Sequence, residues 1–272
     1  LTVTREFGAV PVLERSVEAS ESDTVMRVLE GSATIATRYG AGFVHAINGV
    51  EEAELGGDPY DWFFFVDGIE SPIGAAEYEL RGGERIWWDY RDWIASNHVP
   101  AVVGSWPAPF VGGYEGEKHP VAVVCDGGGP ACARARAALT GAGVELAEEP
   151  GKSAIRVLVG PWARLRDDPA AALLEAGPEE SGVYAEFERR GGAYLLVGLD
   201  QEGEPARDLG AEAGLVAATR RYEAPPTWVV TGGTDAAVGA AAELLGREHL
   251  RGRYAVATVA GEATPLPLEA SR

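Results

Sequence analysis

The chain has 272 residues, a formal net charge of −19 and 46% hydrophobic residues. That length suits two compact domains, and the apolar fraction supports a buried core rather than disorder. The charge argues against a sequence-independent nucleic-acid binder, which needs cationic surface to displace counterions, and against an anionic-membrane binder. No apolar run approaches the roughly 20 residues of a spanning helix. The expected partners are a small-molecule ligand or an envelope protein.

The first half holds the aromatic residues and reads as strands with one helix. Leu1–Phe7 and Val10–Val17 alternate as strands. Ser22-Asp23 offers an N-cap before Thr24–Leu29, and Gly31 closes that helix. Thr34–Tyr39 and Phe43–Asn48 flank Gly40-Ala41-Gly42, a hairpin signal. Trp62–Val66 runs into the turn Asp67-Gly68. Glu77–Leu80 and Ile86–Tyr90 flank Arg81-Gly82-Gly83-Glu84, a third hairpin. Two strands, a helix and further strands make a β-grasp-like order, with one helix covering one face of a small sheet.

A Pro/Gly-dense stretch follows, and residues 104–119 are expected to be a linker. Residues 1–103 and 120–272 are the expected domains. In the second, strand Val121–Val124, helix Ala131–Thr140, strand Val144–Leu146 and strand Ile155–Val159 follow in order. Strand Thr227–Val230, helix Asp235–Leu245 and strand Tyr254–Val259 repeat the strand–turn–helix–strand unit. Tyr184–Arg189 and Ala193–Leu199 flank Arg190-Gly191-Gly192, an antiparallel hairpin. The fold class is thus α+β in the first domain, and α/β with a mixed sheet and a weak internal repeat in the second.

Chemistry-bearing motifs are sparse. Gly127-Gly128-Gly129 and Gly232-Gly233 each sit between strand and helix, where backbone N–H groups can cradle an anion. Neither carries a phosphate-loop ending, and Cys132 occupies the third glycine position of a dinucleotide fingerprint. A tight strand-to-helix turn explains both. No nucleophile elbow is present and the four histidines are scattered, so no catalytic residue, metal ligand or cofactor is assigned. Asp89 and Asp92, beside Trp88 and Trp93, are the carboxylates embedded among aromatics. Cys125 and Cys132 are expected to form a disulfide in an oxidising compartment, worth roughly 2–3 kcal/mol for so short a loop. Two free thiols is the alternative.

The informative feature is the aromatic density of residues 60–93. In a strand, Trp62, Phe64 and Val66 face one way and Phe63 and Phe65 the other. In the next strand Ile86, Trp88 and Tyr90 share a face, opposite Trp87 and Asp89. One helix covers one face, so the other must meet the second domain, a partner or a ligand. Under the binding reading, the domain presents Trp62, Trp87, Trp88, Tyr90 and Trp93 to a planar or apolar small molecule in the cleft between the domains, and Asp89 accepts a hydrogen bond from it. Under the alternative, the aromatic face docks on the second domain or another subunit and the chain is a structural or interaction module. A third reading is an enzyme with a carboxylate pair in a concave site.

The runs Asp61–Gly68, Gly74–Leu80 and Gly83–Tyr90, with Thr24-Val25-Met26 and Phe43–Gly49, resemble a domain of unknown function. That domain is shared by exported bacterial proteins and by the C-terminal part of transcobalamin and intrinsic factor. The likeness covers about residues 1–95, with Asp67 where the family has Asn and Glu84 where it has Asp. It implies a β-grasp-like fold and export, and, from the animal members, a cobalamin-like ligand. The helical barrel that completes the cobalamin cleft there has no counterpart within these residues. The chain opens on Leu1-Thr2-Val3, a strand already under way, as a sequence trimmed of its export signal would. An exported, non-enzymatic binding protein is the resulting expectation.

Overall fold

The computed structural model describes residues 1–20, 22–38, 42–51, 59–126 and 129–270. The first unit contains β1 (Thr2–Arg5), β2 (Val10–Glu14), α1 (Val25–Ser32), β3 (Ile35–Arg38), β4 (Phe43–Ile47), β5 (Val50–Glu51), β6 (Tyr60–Val66), β7 (Ile69–Glu70) and β8 (Ile86–Asp92). Its main sheet has the order β2-β1-β8-β6-β7, with β1 parallel to β8 and the other pairs antiparallel. The first strand lies parallel to the last at the centre, as in a β-grasp sheet. Strands β3, β4 and β5 form a separate antiparallel sheet.

Local chemistry explains where α1 starts. Thr24, in extended conformation, accepts the Arg27 N–H at 3.2 Å and is the N-cap. The expected cap Asp23 instead accepts the Ser20 N–H at 2.7 Å. Gly31 does not end the helix, which runs on to Ser32. Val25, Met26, Val28 and Leu29 bury one face of α1 against Trp62, Trp88 and Tyr90. The expected strand Glu77–Leu80 does not form. Both edges of β8 are already taken, by β1 and β6. The segment attaches to the start of α1 instead: the Tyr78 carbonyl accepts the Val25 N–H, and the Leu80 N–H donates to Asp23. Of the expected turn at 40–42, Gly40 and Ala41 lie outside the described residues.

The second unit opens with α2 (Ala108–Val111), β9 (Val121–Cys125), α3 (Pro130–Gly141), β10 (Ile155–Val159) and α4 (Trp162–Leu165). A 3-10 turn (Ala171–Ala176), α5 (Pro178–Ser181), β11 (Ala185–Arg190), β12 (Ala193–Leu199), β13 (Pro205–Gly210) and β14 (Gly214–Thr219) follow. The chain continues through β15 (Thr227–Gly232), α6 (Asp235–Glu243), α7 (Arg247–Leu250), β16 (Ala255–Val259) and β17 (Glu262–Leu266). Six strands form a mixed sheet in the order β17-β16-β14-β15-β10-β9. Strands β9, β10 and β15 are mutually parallel; β14 and β17 run antiparallel to their neighbours. The internal repeat is therefore uneven. The unit β9-α3-β10 joins adjacent strands, whereas β15-α6-β16 steps over β14. The hairpin β11–β12 pairs with β13 in its own sheet, outside the mixed one. Val144–Leu146 is not a strand; Leu146 makes a single bridge to Val121.

Helices α3 and α6 cover one face of the six-stranded sheet. The other face packs on α4, the 3-10 turn and β12, and on Phe7, Phe65 and Trp87 of the first unit. One apolar core thus crosses the seam between the units. Residues 104–119 are no free linker. Trp106, Phe110 and Tyr114 are buried in the core beneath α3 and α6, and Trp106 and Phe110 sit 5.6 and 4.9 Å from the Trp228 ring. The prolines and glycines punctuate this stretch, but three aromatics four residues apart supply apolar area that water would not hold. Trp106→Ala is expected to cost about 3–5 kcal/mol in equilibrium denaturation; a cost below about 0.5 kcal/mol, the range of exposed positions, would return the stretch to a linker.

Candidate functional site: the seam between the two units

The aromatic strands pair in full register, Trp62 opposite Tyr90, Phe64 opposite Trp88 and Phe65 opposite Trp87. Trp62, Trp88 and Tyr90 lie under α1, with Trp62 and Tyr90 rings 5.1 Å apart and Phe64 stacked on Trp88 at 4.8 Å. The Tyr90 hydroxyl donates to the Glu51 carbonyl at 2.9 Å. Trp87 and Asp89 face the second unit. Trp93, just past β8, keeps 39% exposure. The six expected ligand-binding residues therefore do not share one surface. Three are core, two are seam and one is exposed.

Asp89 is completely buried at this seam. Its Oδ1 accepts Thr4 Oγ1 at 2.5 Å and the Gly8 N–H at 3.1 Å, and its Oδ2 accepts the Tyr254 hydroxyl at 3.0 Å. Thr4 in turn accepts the Trp87 indole N–H at 2.7 Å. A carboxylate from β8 is thus joined to a tyrosine from the start of β16. Burial pushes the Asp89 pKa up to about 6 despite the bonds from Thr4, Tyr254 and Gly8. Arg91, also fully buried, lies 3.8 Å over the Phe63 ring and donates to the carbonyls of Asp92 and Ser96 at 2.9 and 2.7 Å. Asp92 is buried as well, so neither carboxylate of the aromatic strand reaches solvent.

Backbones meet closely along the same line. A Cβ on Gly8 would come within 1.9 Å of the Gly252 carbonyl oxygen, and one on Gly104 within 2.7 Å of the Trp87 ring. Beside this contact a cavity of about 360 Å³ opens between the units. The first unit contributes Arg15, Arg85 and Trp87, the connecting stretch Ser105, and the second unit Arg247 and Arg251. An adjoining cavity of about 530 Å³ shares Gly83, Glu84 and Arg85 as its wall and extends to Arg81 and Lys118. Asp67 lines this second cavity; it accepts the Arg85 N–H at 2.9 Å and is pushed up to about 7, first by burial.

A second crevice of about 650 Å³ lies at the carboxyl ends of the parallel strands, between α3 and α6. There β9 leads to α3 on one face of the sheet while β10 leads to α4 on the other, the switch point at which open sheets hold ligands. Cys125 and Cys132 form a disulfide beside it, with Cα atoms 5.9 Å apart. Four of its charged residues pair among themselves, Arg164 with Asp126 at 3.1 Å and Arg134 with Glu243 at 3.4 Å. Gly127 and Gly128 are outside the described residues. At the other glycine turn, the carbonyls of Tyr194 and Ala211 occupy the space where a Gly233 Cβ would point, so acceptors rather than donors fill it. Among the described residues no three His, Cys, Asp or Glu converge as a metal site, and no helix is long and apolar enough to cross a membrane.

Residues 22–92 match the model of a family described as a domain of unknown function (DUF4430). The match runs from just before α1 to the end of β8 and spans about a quarter of the chain. It is narrower than residues 1–95, leaving out β1 and β2. No curated protein and no solved structure matches the chain.

Two seam carboxyls give a pH prediction. Asp67 and Asp89 have folded pKa values above the ordinary 3.8. The folded state therefore holds their protons longer than the unfolded state does. Their contribution is complete below about pH 4 and declines as pH rises through 6 to 7. Asp67→Asn keeps a residue tolerant of the left-handed turn at Asp67 (φ 51°) and an oxygen for the Arg85 N–H. It is expected to raise unfolding free energy by about 1–3 kcal/mol at pH 8, converging on the wild type near pH 4. Denaturation curves at the two pH values check this; equal stability at both would remove the buried-charge account.

Proposed function

We propose that this chain is an exported, non-enzymatic binding protein whose site is the groove along the seam between its units. The observation that carries the reading is convergence: β8, the 104–119 stretch and α7 all contribute to one cavity. The aromatic strand pair serves as framework, because its two faces are occupied by α1 and by the second unit. Trp87 is the one expected ligand-binding residue in the groove wall. A flat ligand has no stacking platform on Trp62, Trp88 or Tyr90, since each is at most 6% exposed.

Export rests on the Cys125–Cys132 disulfide, which suits an oxidising compartment. It rests also on the likeness of the first unit to exported proteins. The likeness to the C-terminal domain of transcobalamin and intrinsic factor is part of the same reading and places cobalamin among the ligands to try. A structural or interaction module is the second reading. The continuous core across the seam favours it, because there the sheet face meets protein rather than ligand.

Calorimetric titration with cobalamin, cobinamide and a set of charged and neutral small metabolites is expected to yield a saturable ligand. Hydrogen exchange with that ligand is expected to show protection at residues 83–87, 104–105 and 247–252. Protection confined to residues 126–134 and 235–243 would move the site to the strand-end crevice, and silence across the panel would favour the interaction module.

A further inference from the structure

The two adjoining seam cavities gather six of the chain's 23 basic residues, Arg15, Arg81, Arg85, Lys118, Arg247 and Arg251. They include only three of its 42 acidic residues. The chain as a whole carries a net charge of −19, so the groove inverts the sign of its surroundings.

Each of the three carboxyls is already engaged. Glu14 pairs with Arg251. Glu84 accepts the Arg81 N–H at 2.7 Å and faces the Tyr78 hydroxyl at 3.4 Å. Asp67 accepts the Arg85 N–H, and its burial favours the neutral form. Among the described residues no carboxylate lies within ion-pair distance of Arg15, Arg85, Lys118 or Arg247. Arg85 is half-buried, and its proton affinity is lowered first by burial and then by the positive charge of Arg247. A guanidinium does not shed its proton at ordinary pH. Two like charges thus share a partly desolvated cavity whose nearest carboxyl, Asp67, offsets them only in part because burial holds it toward the neutral form, an arrangement that an anion relieves.

We propose that the groove binds an oxyanion group, phosphate or carboxylate, of a small ligand between Arg85 of the first unit and Arg247 of the second. This rests on the seam groove being the binding site. Guanidinium forks suit such groups because parallel N–H donors match two oxygens. Ser105 and Thr2, in the same wall, add neutral hydroxyl donors. A ligand held from both units also ties its occupancy to their mutual placement.

The test is calorimetric titration of the whole chain with inorganic phosphate and, separately, with citrate, in chloride buffer of fixed ionic strength. Saturable binding of at least one anion is expected, with the preferred anion distinguishing a phosphate group from a carboxylate. Arg85→Gln and Arg247→Gln are each expected to weaken it at least tenfold, Arg85→Lys less. Lys152→Gln, in a separate basic pocket, is expected to leave binding unchanged. The bound anion should also raise the melting temperature of the wild type and not that of Arg85→Gln, which keeps the test valid for a variant of altered stability. No saturable binding of either anion, or equal weakening by Lys152→Gln, overturns the inference. A neutral ligand that protects residues 83–87 and 247–252 while both anions fail would sink the oxyanion and keep the groove. Failure of every ligand at the groove would sink both.

Discussion

The structure depends on a strand pair that is apolar on both faces. In β6 and β8 nearly every side chain is aromatic, aliphatic or buried, so neither face can be left to water. Helix α1 is long enough to cover one face. The second face has to be covered by protein from elsewhere, and the six-stranded sheet supplies it through Tyr254, Leu158 and Ala255. From this follow the shared core, the buried connector and the groove where the fit between the units ends.

Polar groups give that apolar contact its orientation. Hydrophobic burial is non-directional, and a sheet face could slide on its partner. The hydrogen bonds from Thr4, Gly8 and Tyr254 to the buried Asp89 carboxyl do not permit sliding, because displacement would leave a carboxyl unpartnered in a dry interior. Gly8 and Gly104 act in the same sense, since each allows a backbone approach that any side chain would block. The seam is thus specified by a few polar and small residues set within a large apolar area, and it holds the groove arginines of the two units opposite one another.

Much of this was legible in the sequence. Strict alternation in Trp62–Val66 and Ile86–Tyr90 assigned each side chain to its face, and the strand–helix order assigned the α+β class. What alternation does not carry is what covers a face. That outcome depends on residues such as Tyr254 and Leu158, far along the chain, whose partners no local pattern reveals. The connector escapes a reading of local pattern for a related reason. Pro and Gly signal turns, and a turn-rich stretch can still be core when Trp106, Phe110 and Tyr114 are spaced to bury together. The groove arginines left no motif, because Arg15, Arg85 and Arg247 are single residues in separate segments. The one signal open to inspection is the pair Arg81 and Arg85 flanking the glycines at 82–83, in an acidic chain.

Unfolding followed at once by calorimetry, by tryptophan fluorescence and by far-ultraviolet dichroism tests the shared seam most directly. Five of the seven tryptophans lie in the first unit or the connector. A core that runs across the seam predicts one cooperative transition with coincident midpoints and a calorimetric enthalpy equal to the van't Hoff value. Two separated transitions, with the tryptophan signal lost ahead of the dichroism, would contradict it and make the units independent domains.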